Sequence, residues 1–142
     1  MFTFGREHEK KCALAYVRRP DQTALVSTMI DAIHDLMEGK GNAGQAGAAI
    51  GEAFANGGSG VWESAGSWLR KIGAEYPETR QLWALLARNE SATVRFRVAC
   101  FLNEMPHDEF ASVSALLLND KSKKVAAMAS TRAEEVALRA TT

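Results

Sequence analysis

Cysteine, proline and net charge are all scarce in this chain of 142 residues. Two cysteines, Cys12 and Cys100, are too few for a disulfide framework and fit reduced thiols in a cytoplasm. Lys plus Arg equals Asp plus Glu, 17 of each. Such a balance argues against a dedicated nucleic-acid binder, whose affinity rests on neutralising phosphates, although it leaves room for a local patch. No run approaches the ~18–20 apolar residues that span a bilayer, so no membrane association is expected. The opening "MFTFGREHEKK" puts charges where a signal peptide needs its apolar core. A Ser nucleophile motif, a P-loop and a Cys-x-x-Cys pair are all missing. The chain reads as one cytoplasmic domain, 1–142.

Strands are missing too. The three prolines, Pro20, Pro77 and Pro106, punctuate a sequence rich in Ala, Leu, Glu, Arg and Met, with no convincing alternation of β-branched residues. The expectation is all-α. A first helix is predicted over Arg6–Val17. A second starts near Asp21 with Leu25, Met29, Ile33 and Leu36/Met37 on one face, and Gly39 ends it. Eight of the eleven glycines fall between Gly39 and Gly60, so the helix expected over Ala43–Ala55 is weak, flanked by mobile loops and the least protected part of the chain. Helices over Val61–Glu75 (stripe Val61, Ala65, Trp68, Ile72), Glu78–Arg88, Ala92–Glu104, Asp108–Leu118 and Ser122–Leu138 complete the reading.

The chain also states one pattern more than once. At an offset of 31, Leu85 falls on Leu116, Leu86 on Leu117, Asn89 on Asp120, Ser91 on Ser122 and Val94 on Val125. At an offset of 33, Ile50 falls on Trp83, Asn56 on Asn89, Val61 on Val94, Ala65 on Val98, Trp68 on Phe101 and Leu69 on Leu102. Three helix pairs of this length, 43–76, 78–105 and 107–138, each too small to bury its own apolar face, would stack into one core, with residues 1–39 as capping helices. "LLARNESATVRFRVA" and "LLLNDKSKKVAAMA" resemble the short HEAT-like repeat, with its leucines, its Asp or Asn turn and its Val-Arg or Val-X helix start. The resemblance implies a right-handed α/α superhelix of three to four hairpins. It also implies a ladder between a turn Asp and the Arg after Val, here Asp120 and Arg95. Ala126 where Arg belongs, and Asn89 where Asp belongs, restrict the ladder to one rung.

Candidate chemistry is thin. "GKGNAG", Gly39–Gly44, fits G-x-G-x-x-G, but a helix precedes it where a dinucleotide site needs a strand. His8 and Cys12 share a helix face at i, i+4, yet two ligands do not make a metal site. His34–Asp35 and His107–Asp108–Glu109 are explained by an amphipathic helix and by a first turn that favours acidic residues. No cofactor or metal is called for, and no enzymatic activity.

Such repeats chiefly bind macromolecules, and the chain is similar to free-standing immunity proteins with which bacteria inhibit their own toxin enzymes. The partner implied is a protein, a cognate toxin. An adaptor or regulatory subunit of a cytosolic complex is the alternative, followed by a helical-repeat lyase or DNA-repair enzyme. The expected binding row is polar on the helices that follow each turn: Glu63 and Arg70, then Phe96, Arg97 and Asn103, then Glu134, with Lys123 and Lys124 from the basic "KSKK". Phe96 is the aromatic of that row, either covered by the N-terminal helices or the anchor of an interface.

Overall fold

The computed structural model describes residues 5–17 and 19–141; residues 1–4, Arg18 and Thr142 lie outside the described set. Every regular element among the described residues is helical. The α-helices are α1 (Arg6–Leu14), α2 (Pro20–Met37), α3 (Ala43–Asn56), α4 (Val61–Glu75), α5 (Gln81–Ala87), α6 (Ala92–Cys100), α7 (His107–Leu117) and α8 (Lys123–Ala140). Among the described residues, no helix is long and apolar enough to cross a membrane. The chain gathers into two compact units, Met1–Thr79 and Arg80–Thr142.

In the first unit, α2 opens with Pro20 at its first turn, where the missing N–H costs no hydrogen bond. Its buried stripe is Val26, Met29, Ile30, Ile33 and Leu36. Met29, Ile33 and Leu36 of the expected face are buried, Val26 and Ile30 join them, and Leu25 and Met37 are half-buried. Basic residues at i, i+4 fasten α1 to α2 along an acidic row. Arg6 donates to Asp35 at 2.7 Å, to Glu38 at 2.9 Å and to Asp31 at 3.4 Å, and Lys10 lies 2.8 Å from Asp31.

The glycine-rich helix forms where expected, one residue longer at its end, and it is capped. Asn42 accepts from the Gln45 N–H at 2.8 Å and Gln45 returns a bond to the Asn42 N–H, a reciprocal cap that satisfies two otherwise open donors. Ala46, Ile50, Ala53 and Phe54 have no exposed surface, and α3 packs on both α2 and α4. Two of these four buried residues are alanines, which take up little space between the neighbouring helices. Gly57, where the chain leaves α3, is buried, and a Cβ there would run into the Ala53 carbonyl oxygen and the Val61 side chain. Gly60, at φ +87°, then makes the left-handed turn into α4. The expected α4 stripe, Val61, Ala65, Trp68 and Ile72, is buried throughout.

In the second unit, α5, α6, α7 and α8 enclose Trp83, Leu86, Val94, Val98, Phe101, Leu102, Val113, Leu117, Val125 and Ala129. Trp83 and Phe101 meet ring to ring at 5.5 Å. Two predicted helices are divided. Pro77–Arg80 forms a 3-10 turn ahead of α5, and Leu102–Glu104 forms another after α6. Phe101 and Leu102, adjacent in sequence, are both buried, as are Trp68 and Leu69 at the matching positions of α4. Pro106 then holds Met105 extended, at φ −80° and ψ 148°. Met105 is half-buried.

Candidate functional site

The local geometry of the second unit is set by one side chain. Arg95, in the first turn of α6, donates from Nε to Asp120 Oδ2 at 2.8 Å and from Nη2 to Oδ1 at 3.2 Å. Its Nη1 donates to the carbonyls of Asn89 and Glu90, both at 2.9 Å. The two side chains are 8% and 7% exposed. The guanidinium holds the Asp120 carboxyl below the ordinary carboxylate range, and the Ser122 N–H adds to that effect. Each loop has a matching internal bond: Asn89 Oδ1 accepts from the Ser91 N–H, and Asp120 Oδ1 from the Ser122 N–H, both at 2.8 Å. Arg95 thus ties the start of α6 to the loop before it and to the loop before α8.

That tie fixes which surface α6 and α8 present. The helices run side by side in the same direction: Arg95 meets Asp120 at their starts, and at their ends Asn103 Nδ2 donates to Glu135 at 2.8 Å. Arg132 Nε donates to the Cys100 carbonyl at 3.1 Å and Arg139 Nη1 to the Asn103 carbonyl at 3.0 Å.

The chain's zero net charge conceals a separation within this unit. Around the starting ends, residues 88–97 and 120–124 hold six cations (Arg88, Arg95, Arg97, Lys121, Lys123, Lys124) against Glu90 and Asp120. Around the other ends, residues 103–109 and 132–139 hold five carboxylates (Glu104, Asp108, Glu109, Glu134, Glu135) against Arg132 and Arg139. Lys121, Lys123 and Lys124 are exposed. Lys123 and Lys124 sit in the first turn of α8, where a cation opposes the helix dipole at about 0.3–1 kcal/mol each. Lys124 Nζ lies 4.7 Å above the centre of the Phe96 ring, a contact that partly offsets that cost.

The expected site residues separate into those that share a surface and those that do not. Phe96 and Arg97 are half-buried on α6, and Lys123 and Lys124 are exposed at the same end of the unit. Asn103 lies at the other end and is half-buried, because the 3-10 turn swings it toward Glu135. Glu134 is exposed on α8. In the first unit, Arg70 is exposed, and Glu63 is exposed while its carboxylate caps α4 by accepting from the Gly60 N–H at 2.8 Å. Lys121, the first of the basic "KSKK" run, belongs to the cationic end with Lys123 and Lys124. The Arg6/Lys10 row against Asp31, Asp35 and Glu38 was legible as helical spacings of three and four residues with opposite sign.

The thiol of Cys12 lies 3.3 Å from His8 Nε2 on the exposed face of α1, and no group of three His, Cys, Asp or Glu side chains among the described residues is arranged to hold a metal ion. His34 is buried within the α2 stripe. Compared with known proteins, the chain matches no family model, no curated protein and no solved structure.

Proposed function

We propose that this chain is a non-enzymatic protein-binding module of HEAT-like helical-repeat type, a short α-solenoid, and that it binds and neutralises a cognate bacterial toxin enzyme in the cytoplasm. The observation that carries the reading is the recurrence of burial at the sequence offsets of 33 and 31. Ile50, Trp83 and Ser114 are buried; so are Ala53, Leu86 and Leu117, then Val61, Val94 and Val125, then Ala65, Val98 and Ala129. Each helix pair commits the same positions to core, the economy expected of stacked repeats. The clamp at Arg95 supports the same reading, because it joins consecutive turns in the way the resemblance implies.

Exposed side chains of both signs on α8, with the half-buried Phe96 and Arg97 of α6, supply what a protein partner recognises: charges for orientation and on-rate, and an aromatic for affinity. The test is affinity capture from the native host followed by assay of whatever is captured. One stoichiometric partner whose enzymatic activity is abolished in the complex supports the immunity reading. A partner that keeps its activity points to the adaptor role, and turnover of duplex DNA by the free chain would overturn the non-enzymatic assignment.

A further inference from the structure

We propose that the cationic end of the second unit, formed by Lys121, Lys123 and Lys124 with Phe96 beneath the last of them, docks an acidic segment of a partner protein. That segment is a stretch of Asp or Glu carrying an apolar side chain that settles on the Phe96 ring. The proposal rests on the protein-binding reading and names the chemistry of the partner.

The three ammonium groups fall within four residues and are exposed. Among the described residues none of them makes an ion pair. The nearest carboxylate in sequence, Asp120, is committed to Arg95 through both oxygens. Glu90 is the other acidic side chain of this end, so cations outnumber carboxylates on this surface.

Charge and aromatic ring act together here. Lys124 rests on the face of Phe96 at 4.7 Å, a contact that is weak where water reaches it. An arriving carboxylate attracts the ammonium more strongly than the ring does, so Lys124 moves to the carboxylate and the ring face opens to an apolar neighbour. A partner offering charge alone leaves the ring uncovered, and one offering apolar surface alone leaves Lys124 in place.

A protein fits this surface better than a duplex does. A nucleic acid needs a track of cations along many phosphates, whereas here the cations stop within one turn of α8. Glu104, Glu134 and Glu135 then follow at the far ends of the same two helices.

The experiment is an NMR titration of the full chain with a synthetic peptide of alternating Glu and Leu. A peptide with Lys in place of Glu and a single-stranded oligodeoxynucleotide serve as comparison probes. Amide signals of residues 93–97 and 121–125 are expected to move with the Glu peptide alone. The dissociation constant is expected to rise about tenfold between about 50 and 200 mM salt. Combining Lys121→Gln, Lys123→Gln and Lys124→Gln is expected to weaken binding about tenfold without lowering the melting temperature, since three exposed cations contribute by charge. Phe96→Leu, which keeps apolar bulk, is expected to weaken it less.

Signals that move elsewhere, or no movement at millimolar peptide, overturn the proposal. Tighter binding of the oligonucleotide at the same lysines also overturns it and marks a nucleic-acid surface. If a toxin captured from the host binds the triple variant as well as the unaltered chain, this face is wrong and the protein-binding reading stands. If the Glu peptide binds at the lysines while the host yields no protein partner, the surface is supported and the immunity reading falls.

Discussion

Arg95 and Asp120 face each other fork to fork, two N–H groups on two carboxylate oxygens, and Arg95 Nη1 holds both Asn89 and Glu90 carbonyls. Four of the five N–H donors of a guanidinium are thereby used. A lysine could supply neither the planar fork nor the reach to both loops.

Replacing Arg95 with Ala leaves Asp120 buried without its counter-ion and frees two loop carbonyls. The expected cost is about 3–5 kcal/mol, the range for breaking a buried pair. Arg95→Lys is expected to recover only a minor part of it. Urea denaturation measures both; a loss within about 0.5 kcal/mol, the scale of ordinary surface changes, would mean that the clamp does not hold the fold.

Acid should release the same clamp. Asp120 has a folded-state pKa depressed chiefly by the hydrogen bonds from Arg95. Its contribution is therefore present above the unfolded-state value, about 3.9, and is lost as pH falls through the lower folded-state value. Asp120→Asn is expected to be less stable than the unaltered chain at neutral pH. The gap should narrow once pH drops below about 4. A gap independent of pH would show that the charge of Asp120 contributes nothing.

Gly57 has no room for a methyl group. Gly57→Ala is expected to cost about 1–3 kcal/mol through overpacking against Ala53 and Val61. Gly58→Ala is the control, because its Cβ would meet only Gln22 Oε1 at 3.6 Å. Equal melting temperatures for the two variants would contradict the close approach at Gly57.

Lys123→Glu should separate stability from binding. Exchanging a cation for an anion in the first turn of α8 is expected to stabilise the free chain by about 0.3–1 kcal/mol, while acidic-peptide affinity falls. A variant that loses both would assign Lys123 a structural role.

Hydrogen exchange addresses the glycine-rich region. Within 39–60, the amides of α3 around Ile50 and Phe54 are expected to exchange slowly and those of 58–60 quickly, since only the former belong to a doubly packed helix. Uniformly fast exchange would return α3 to the weakly held state that composition predicts.

Most helix positions were legible because their apolar periodicity is strong: α4 falls on the predicted residues, and α3 extends one residue further. The Arg95–Asp120 contact was legible as well, from a resemblance that matched single residues. What composition could not convey is packing. Glycine lowers the intrinsic tendency of α3 to be helical, but its buried face of Ala46, Ile50, Ala53 and Phe54 packs on both α2 and α4, a gain visible only once neighbours are known. The end of α6 was misjudged because the residue before Pro106 is held extended, and Leu102–Glu104 ahead of it winds as a 3-10 turn rather than as α-helix. The charge separation was hidden by an average, since 17 cations and 17 anions say nothing about where each lies.

The double hold of Arg95 also governs how this part of the chain can vary in length. Its reach is fixed, and the bonds from Asn89 to Ser91 and from Asp120 to Ser122 each span two residues. One residue inserted into either turn would carry a carbonyl or a carboxylate beyond the guanidinium. These two turns are thus closed to insertions and deletions, and epitope tags or fusion points belong elsewhere. The last turns of α8 suit them, where Leu138 is 67% exposed and residues 137–141 are all solvent-facing.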